Sequence, residues 1–161
     1  MTTPQSTFPV FSQGWKDYQA LLIKAIAPLS ADQLALRSAP HLRSIGDSVL
    51  HIINTRAGWC SGDLHEGGEV MASIQVWSRP GMPTRSAAEL VNALETTWQL
   101  LQEVIARWTP DAWEQVLGGT PEEPETFTRS WVIWHLIEHD LHHGGEVSLT
   151  LGMHGLEAPA L

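Results

Sequence analysis

Four histidines, His135, His139, His142 and His143, crowd into nine residues of the stretch from Trp131 to Met153. Read as a helix, at about 100° per residue, the stretch places His139 and His143 roughly 40° apart on one face and one turn apart along the axis. His135 extends the same stripe one turn earlier, and Glu146 continues it just past His143; Trp134, Ile137 and Leu141 take the opposite face. Imidazoles four residues apart on a helix lean the same way and can close on one divalent cation. A lone inward histidine is ordinarily a hydrogen-bonded core residue. Three in helical step are another matter, because a core that buries repeated imidazoles without partners bears that cost each time. The chemistry expected of this seam is metal binding.

A site inside a helical protein needs a further ligand from another helix, and His51 is the candidate. It is embedded in Val49-Leu50 and Ile52-Ile53, and Asp47, one turn earlier, either accepts the imidazole's other N–H and fixes its tautomer or is only the capping-box acid, with His51 then a core residue. Three neutral imidazoles leave a divalent ion its full charge and an open coordination position, the pattern of catalytic zinc. Nickel suits imidazole as well. Glu146, on the seam, is the candidate catalytic acid/base; Glu138 lies about 100° away, and either carboxylate can equally be a solvated or pairing group. His135-Leu-Ile-Glu138-His139 also satisfies the inverse-zincin pattern, a rival zinc-peptidase reading that leaves His143 and His51 without a role. His41, His65 and His154 are read as solvated, and Cys60 as a small buried apolar residue.

Four long helices must position these side chains. The first runs from about Phe11 to Ala27, with Trp15, Tyr18, Leu22 and Ile26 at buried spacing and Pro28 ending it. Ser30-Ala-Asp-Gln33 has capping-box form, and Ser44-Ile-Gly-Asp47 opens a second helix carried to about Leu64. From His65 to Arg85, Gly67-Gly68, Pro80, Gly81 and Pro83 argue against a continuous helix, so a long connection is expected, with a short extended piece over Met71 to Trp77. Ser86-Ala-Ala-Glu89 opens the third helix. Thr109-Pro110 starts a short helix through Leu117, Gly118 to Glu125 is a loop, and Thr126 or Thr128 caps the last helix, with Gly152 as its stop. No convincing alternating strand is visible. Four helices of about 17 to 24 residues favour an all-α bundle whose sites are built from inward side chains.

The composition bounds the rest. At 161 residues, 43% hydrophobic and 17% charged, the chain is expected to form a single domain. A net charge of -9 leaves no basic stripe for nucleic acid or an anionic membrane, and no apolar run approaches the ~18 residues of a membrane span. One cysteine and no signal-like N-terminus suit a cytoplasmic protein.

Two segments carry a family resemblance. Ser44-Ile-Gly-Asp-Ser-Val-Leu-His51 with Trp59 resembles the second helix of the DinB/YfiT-like metalloenzymes, and Trp131-Val-Ile-Trp-His135-Leu-Ile-Glu-His139-Asp-Leu-His-His143-Gly resembles their last helix. The resemblance spans most of the chain and implies a four-helix bundle with a long crossover, often a homodimer. It implies one divalent metal on His51, His139 and His143, with His135 a recurrent neighbour rather than a counted ligand. It further implies a metal-dependent S-transferase using a low-molecular-weight thiol of the bacillithiol or mycothiol type, or a related hydrolase, acting on a small molecule. A metal- or small-molecule-binding module without turnover is the alternative. Gly144-Gly145 departs from the family's more common His-Arg-Gly ending.

Overall fold

Serine caps set the frame of the bundle. In the computed structural model, which describes residues 8–119 and 124–159, Ser30, Ser44 and Ser86 each accept the backbone N–H three residues on. Gln33, Asp47 and Glu89 return the bond to the serine's own N–H, so all three expected capping boxes form. They open α2 (Ala31–Leu34), α3 (Ile45–Gly58) and α5 (Ala87–Ala106). Helix α1 (Phe8–Ile26) starts three residues before the expected Phe11, and α7 runs Arg129–Met153 behind Thr128, whose hydroxyl accepts from Trp131 N–H at 3.2 Å. Of the two proposed caps, Thr128 is therefore the one used.

The long helices α1, α3, α5 and α7 enclose a core that includes Trp15, Leu22, Ile52, Ile53, Leu94, Leu101, Leu136 and Val147. Helix α3 packs most extensively on α7, and α1 packs against α5 and α7. This is an all-α four-helix bundle with a long crossover between its second and third long helices, as expected. No helix among the described residues is long and apolar enough to cross a membrane.

Three local expectations are corrected. The helix expected to reach Leu64 leaves α geometry at Gly58 and closes one π turn, Trp59–Asp63, in which Leu64 N–H donates to Trp59 O at 2.9 Å. Within the connection after it, Met71 to Trp77 is not extended. Gly68–Gln75 is a helix, α4, because Met71 and Ile74 share one face and bury themselves against α3 and the π turn. Gly67 makes its entry possible: φ is +77°, and a Cβ there would stand 2.4 Å from Met71 Cγ. Finally, the short helix after Thr109 (α6, Pro110–Trp113) stops well before Leu117. Val116–Gly118 (β1) pairs antiparallel with Thr126–Thr128 (β2) instead, Leu117 opposite Phe127. A two-stranded hairpin so short has almost no local sequence signal of its own. The expected loop at Gly118 to Glu125 lies partly outside the described residues.

One polar cluster crosses the core. Asp140 Oδ2 on α7 accepts from Arg56 Nε at 3.0 Å and Nη2 at 2.5 Å, and from Trp15 Nε1 at 2.5 Å. Arg56 Nη1 donates to Gln19 Oε1 at 2.6 Å and to Leu94 O at 3.3 Å. Both charged side chains are 1% exposed. The cluster ties α1, α3, α5 and α7 together around a single guanidinium.

The double glycine in α7 resolves into two different positions. A Cβ on Gly144 would lie 2.1 Å from the Tyr18 hydroxyl and 2.8 Å from its ring, whereas a Cβ on Gly145 meets nothing within 4 Å. Alanine ordinarily stabilises a helix interior by about 1 kcal/mol over glycine, so Gly145→Ala should raise the denaturation midpoint. Gly144→Ala should do the reverse, by about 1–3 kcal/mol, because the buried Tyr18 ring must move. Equal effects of the two substitutions in a urea titration would contradict this α1–α7 approach.

Candidate metal centre

Helix α3 carries His51 on the face it turns to α7, and α7 offers His139 and His143 one turn apart. One ring nitrogen of each falls within 4.8 Å of the other two. The Nε2 atoms of His51 and His139 are 3.1 Å apart. Two ring nitrogens that close need a positive centre, a proton or a metal, between or beside them. Tetrahedral ligands at about 2.0–2.1 Å from a zinc stand roughly 3.3–3.4 Å from each other, so the spacing suits a cation. The ring centroids are 4.4–4.7 Å apart pairwise. The three histidines singled out from sequence are thus brought together.

Burial shapes their protonation. It pushes the His139 ring down to about 3, helped by the neighbouring charges of His143, His51, His135 and His142. It pushes His51 down to about 4, with Arg43 and His143 adding to the shift and Glu146 opposing it. Both rings are therefore neutral at pH 7, the state in which imidazole ligates.

Glu146 Oε2 lies 2.8 Å from His143 Nδ1. A carboxylate can only accept, so His143 Nδ1 carries the proton and Nε2 presents its lone pair. Burial works to raise the Glu146 carboxyl, but the His143 hydrogen bond and the charges of His143, His142 and Arg43 outweigh it and hold the group below its ordinary value. Glu146 is ionised at neutral pH. With the exposed His142 it forms a second group able to approach a cation, sharing His143. Asp47 does not support His51: its carboxylate accepts instead from Ser44 N–H at 3.2 Å and Arg37 Nη2 at 3.0 Å. Of the two readings of Asp47, the capping acid is the one the structure shows. Glu138 is 57% exposed and 3.6 Å from His135 Nδ1, a pairing carboxylate.

His135 belongs to an aromatic wall beside the centre. Its ring stacks on Trp131 (5.1 Å, 5°), Trp59 meets both edge-on, and Phe127 from β2 closes against Trp59 at 5.0 Å. It is absent from the converging group and stands 5.9 Å from the His139 ring. The π turn presents Trp59 to this wall, and the hairpin presents Phe127.

Two contributors were not foreseen. Thr55 Oγ1 sits 3.2 Å from His139 Nε2; lying four residues after His51, it shares that helical face, a signal the sequence did contain. Arg43, next to the Ser44 cap, acts electrostatically on both His51 and Glu146, and nothing in the linear pattern marks it. His154, read as solvated, is exposed and donates to Arg37 O at 2.9 Å.

Cys60 is fully buried, and burial, with Glu66 adding and Arg107 opposing, pushes its thiol up to about 12. The thiolate is the reactive species, so folded protein should resist iodoacetamide at pH 8 and equally at pH 9, while urea-unfolded protein labels fully. Rapid labelling of the folded chain, read by intact mass, would remove Cys60 from the core.

The model of the DinB superfamily matches residues 15–147. No curated protein matches the chain. Among solved structures, a DinB-like protein from Bacillus cereus superposes with a TM-score of 0.71 at 20% identity, covering 94% of this chain and 95% of that one. A protein assigned to the DinB family from Exiguobacterium sibiricum superposes at 0.59 and 15% identity, over 90% and 92% of the two chains. At these identities the likeness is one of fold.

Proposed function

The chain belongs to the DinB superfamily, and from that premise we propose that it is a divalent-metal protein whose three-histidine centre serves a thiol-dependent S-transfer or a related hydrolysis. The observation that carries the reading is the convergence of His51, His139 and His143 from two helices. His51, His139 and His143 would hold the ion, zinc or nickel, which would supply Lewis acidity to a water or thiol at the centre. The protein's own part is to present neutral imidazoles at His51 and His139, to fix the His143 tautomer through Glu146, and to line one side with the Trp131–His135 stack. Glu146, ionised and beside the centre, is the group proposed to take the proton from the attacking water or thiol.

Elemental analysis tests the metal directly. Untagged protein purified without added metal should carry about one zinc or nickel ion per chain. Trace metal that is not restored on reloading would overturn the reading. A screen of the loaded protein with bacillithiol- or mycothiol-type thiols and electrophiles then separates enzyme from binder: ligand binding with no turnover selects the non-catalytic module. The zinc-peptidase alternative loses ground because His135 is engaged with Trp131 and lies outside the converging group.

A homodimer in the cytoplasm completes the proposal. Its support is the exposed apolar surface of Val10, Phe11 and Trp134 beside a groove of about 590 Å³ between α1, α6 and α7. A monomer mass by light scattering would remove it.

A further inference from the structure

A cavity of about 560 Å³ opens beside the histidine cluster, lined by Ser38, His41, Arg43, Ser48, Glu146 and Thr150 among others. Glu146 is the shared wall: the carboxylate that bonds His143 also borders this space. Two polar groups here are unused by the fold. Arg37, Arg56, Arg85 and Arg107 form ion pairs, and Arg129 lies over Trp108. Arg43 and Arg79 have no side-chain hydrogen bond or ion pair among the described residues, and of the two only Arg43, itself exposed, borders this cavity. Ser48 is 4% exposed, yet its hydroxyl also has no partner among the described residues. The hydroxyl of so buried a residue is ordinarily satisfied; here Ser48 lines the cavity together with Arg43.

We propose that this cavity is the subsite for a carboxylate of the substrate, held by the Arg43 guanidinium and the Ser48 hydroxyl so that the reacting end of the molecule reaches the histidine cluster. The inference rests on the metal-centre reading for its purpose, and names the substrate class as a small carboxylic acid. A guanidinium fork matches a carboxylate bidentately. The lining selects a monoanionic group: Arg43 is its one arginine or lysine and offsets one negative charge, while the Glu146 carboxylate stands in the same wall. A phosphate dianion would therefore be left partly uncompensated.

The test is direct binding, followed by calorimetry and by backbone amide shifts, on protein as isolated and on metal-stripped protein. The probes are butyrate, its neutral amide and inorganic phosphate. Butyrate should bind in both preparations and shift the Ser48 and Thr150 amides. Arg43→Ala should weaken it by about tenfold or more, Arg43→Lys by less, and Ser48→Ala by a few-fold. Arg79→Ala, remote from the cavity lining, should leave it unchanged. Binding that ignores Arg43→Ala, that is matched by the amide, or that is tighter for phosphate would overturn the proposal. The two readings fail separately. Arg43-dependent binding in a protein that holds no metal sinks the metal centre and keeps the subsite, whereas stoichiometric metal with Arg43-independent binding does the opposite.

Discussion

Arg56→Met should destabilise the fold by about 3–5 kcal/mol, the usual cost of removing one member of a buried ion pair. The guanidinium meets Asp140, Gln19 and Leu94 O together, and it lies 5.7 Å and 6.0 Å from the Trp15 and Trp98 rings. Its removal leaves the Asp140 carboxylate, 1% exposed, with only the Trp15 N–H. Asp140 Oδ1 already lacks a partner, so nothing nearby can take up the charge. Methionine fills much of the volume, which isolates the electrostatic loss from a cavity. The double variant Arg56→Met, Asp140→Leu should recover a large part of the loss, since well-packed apolar replacements for a whole buried pair are often neutral. Urea denaturation of the metal-free protein measures both. A single-variant loss under about 1 kcal/mol, the range of exposed pairs, would mean that water reaches this cluster.

His143→Ala should abolish metal binding, with at least roughly a hundredfold loss of affinity, because two imidazoles cannot hold the ion as three do. His143 is buried, donates to Glu146 from one nitrogen and faces His51 and His139 with the other. His135→Ala should spare the metal, since its ring belongs to the Trp59–Trp131 wall. The zinc-peptidase reading predicts the reverse for the pair. Glu146→Ala should fall between them, at about ten- to a hundredfold weaker binding, the usual effect of deleting a hydrogen-bonding partner behind a ligand. Glu146→Gln, whose amide oxygen still accepts from His143 Nδ1, should lose less. Metal titration with a competing chelator reads all four. Retention of tight binding in His143→Ala would remove the centre described here.

The sequence by itself determined the helical frame and half of the site. The caps at Ser30, Ser44, Ser86 and Thr128 are local devices, in which a side chain three residues or fewer from its partner decides the matter; the three serine caps form as read, and Thr128 is the one of two candidate threonines that caps α7. His139 and His143 share a face by helix geometry alone, and Thr55 follows His51 by the same rule. What only the tertiary structure decided are the contacts between segments distant along the chain. The hairpin brings Phe127 to Trp59, Arg56 reaches Asp140 across 84 positions, and Tyr18 occupies the space that Gly144 leaves. No periodicity encodes such pairings, because each depends on how two helices are rotated against one another. Helix α4 shows the same limit: glycines and prolines around it favour a loop, and burial of Met71 and Ile74 against α3 overrides them.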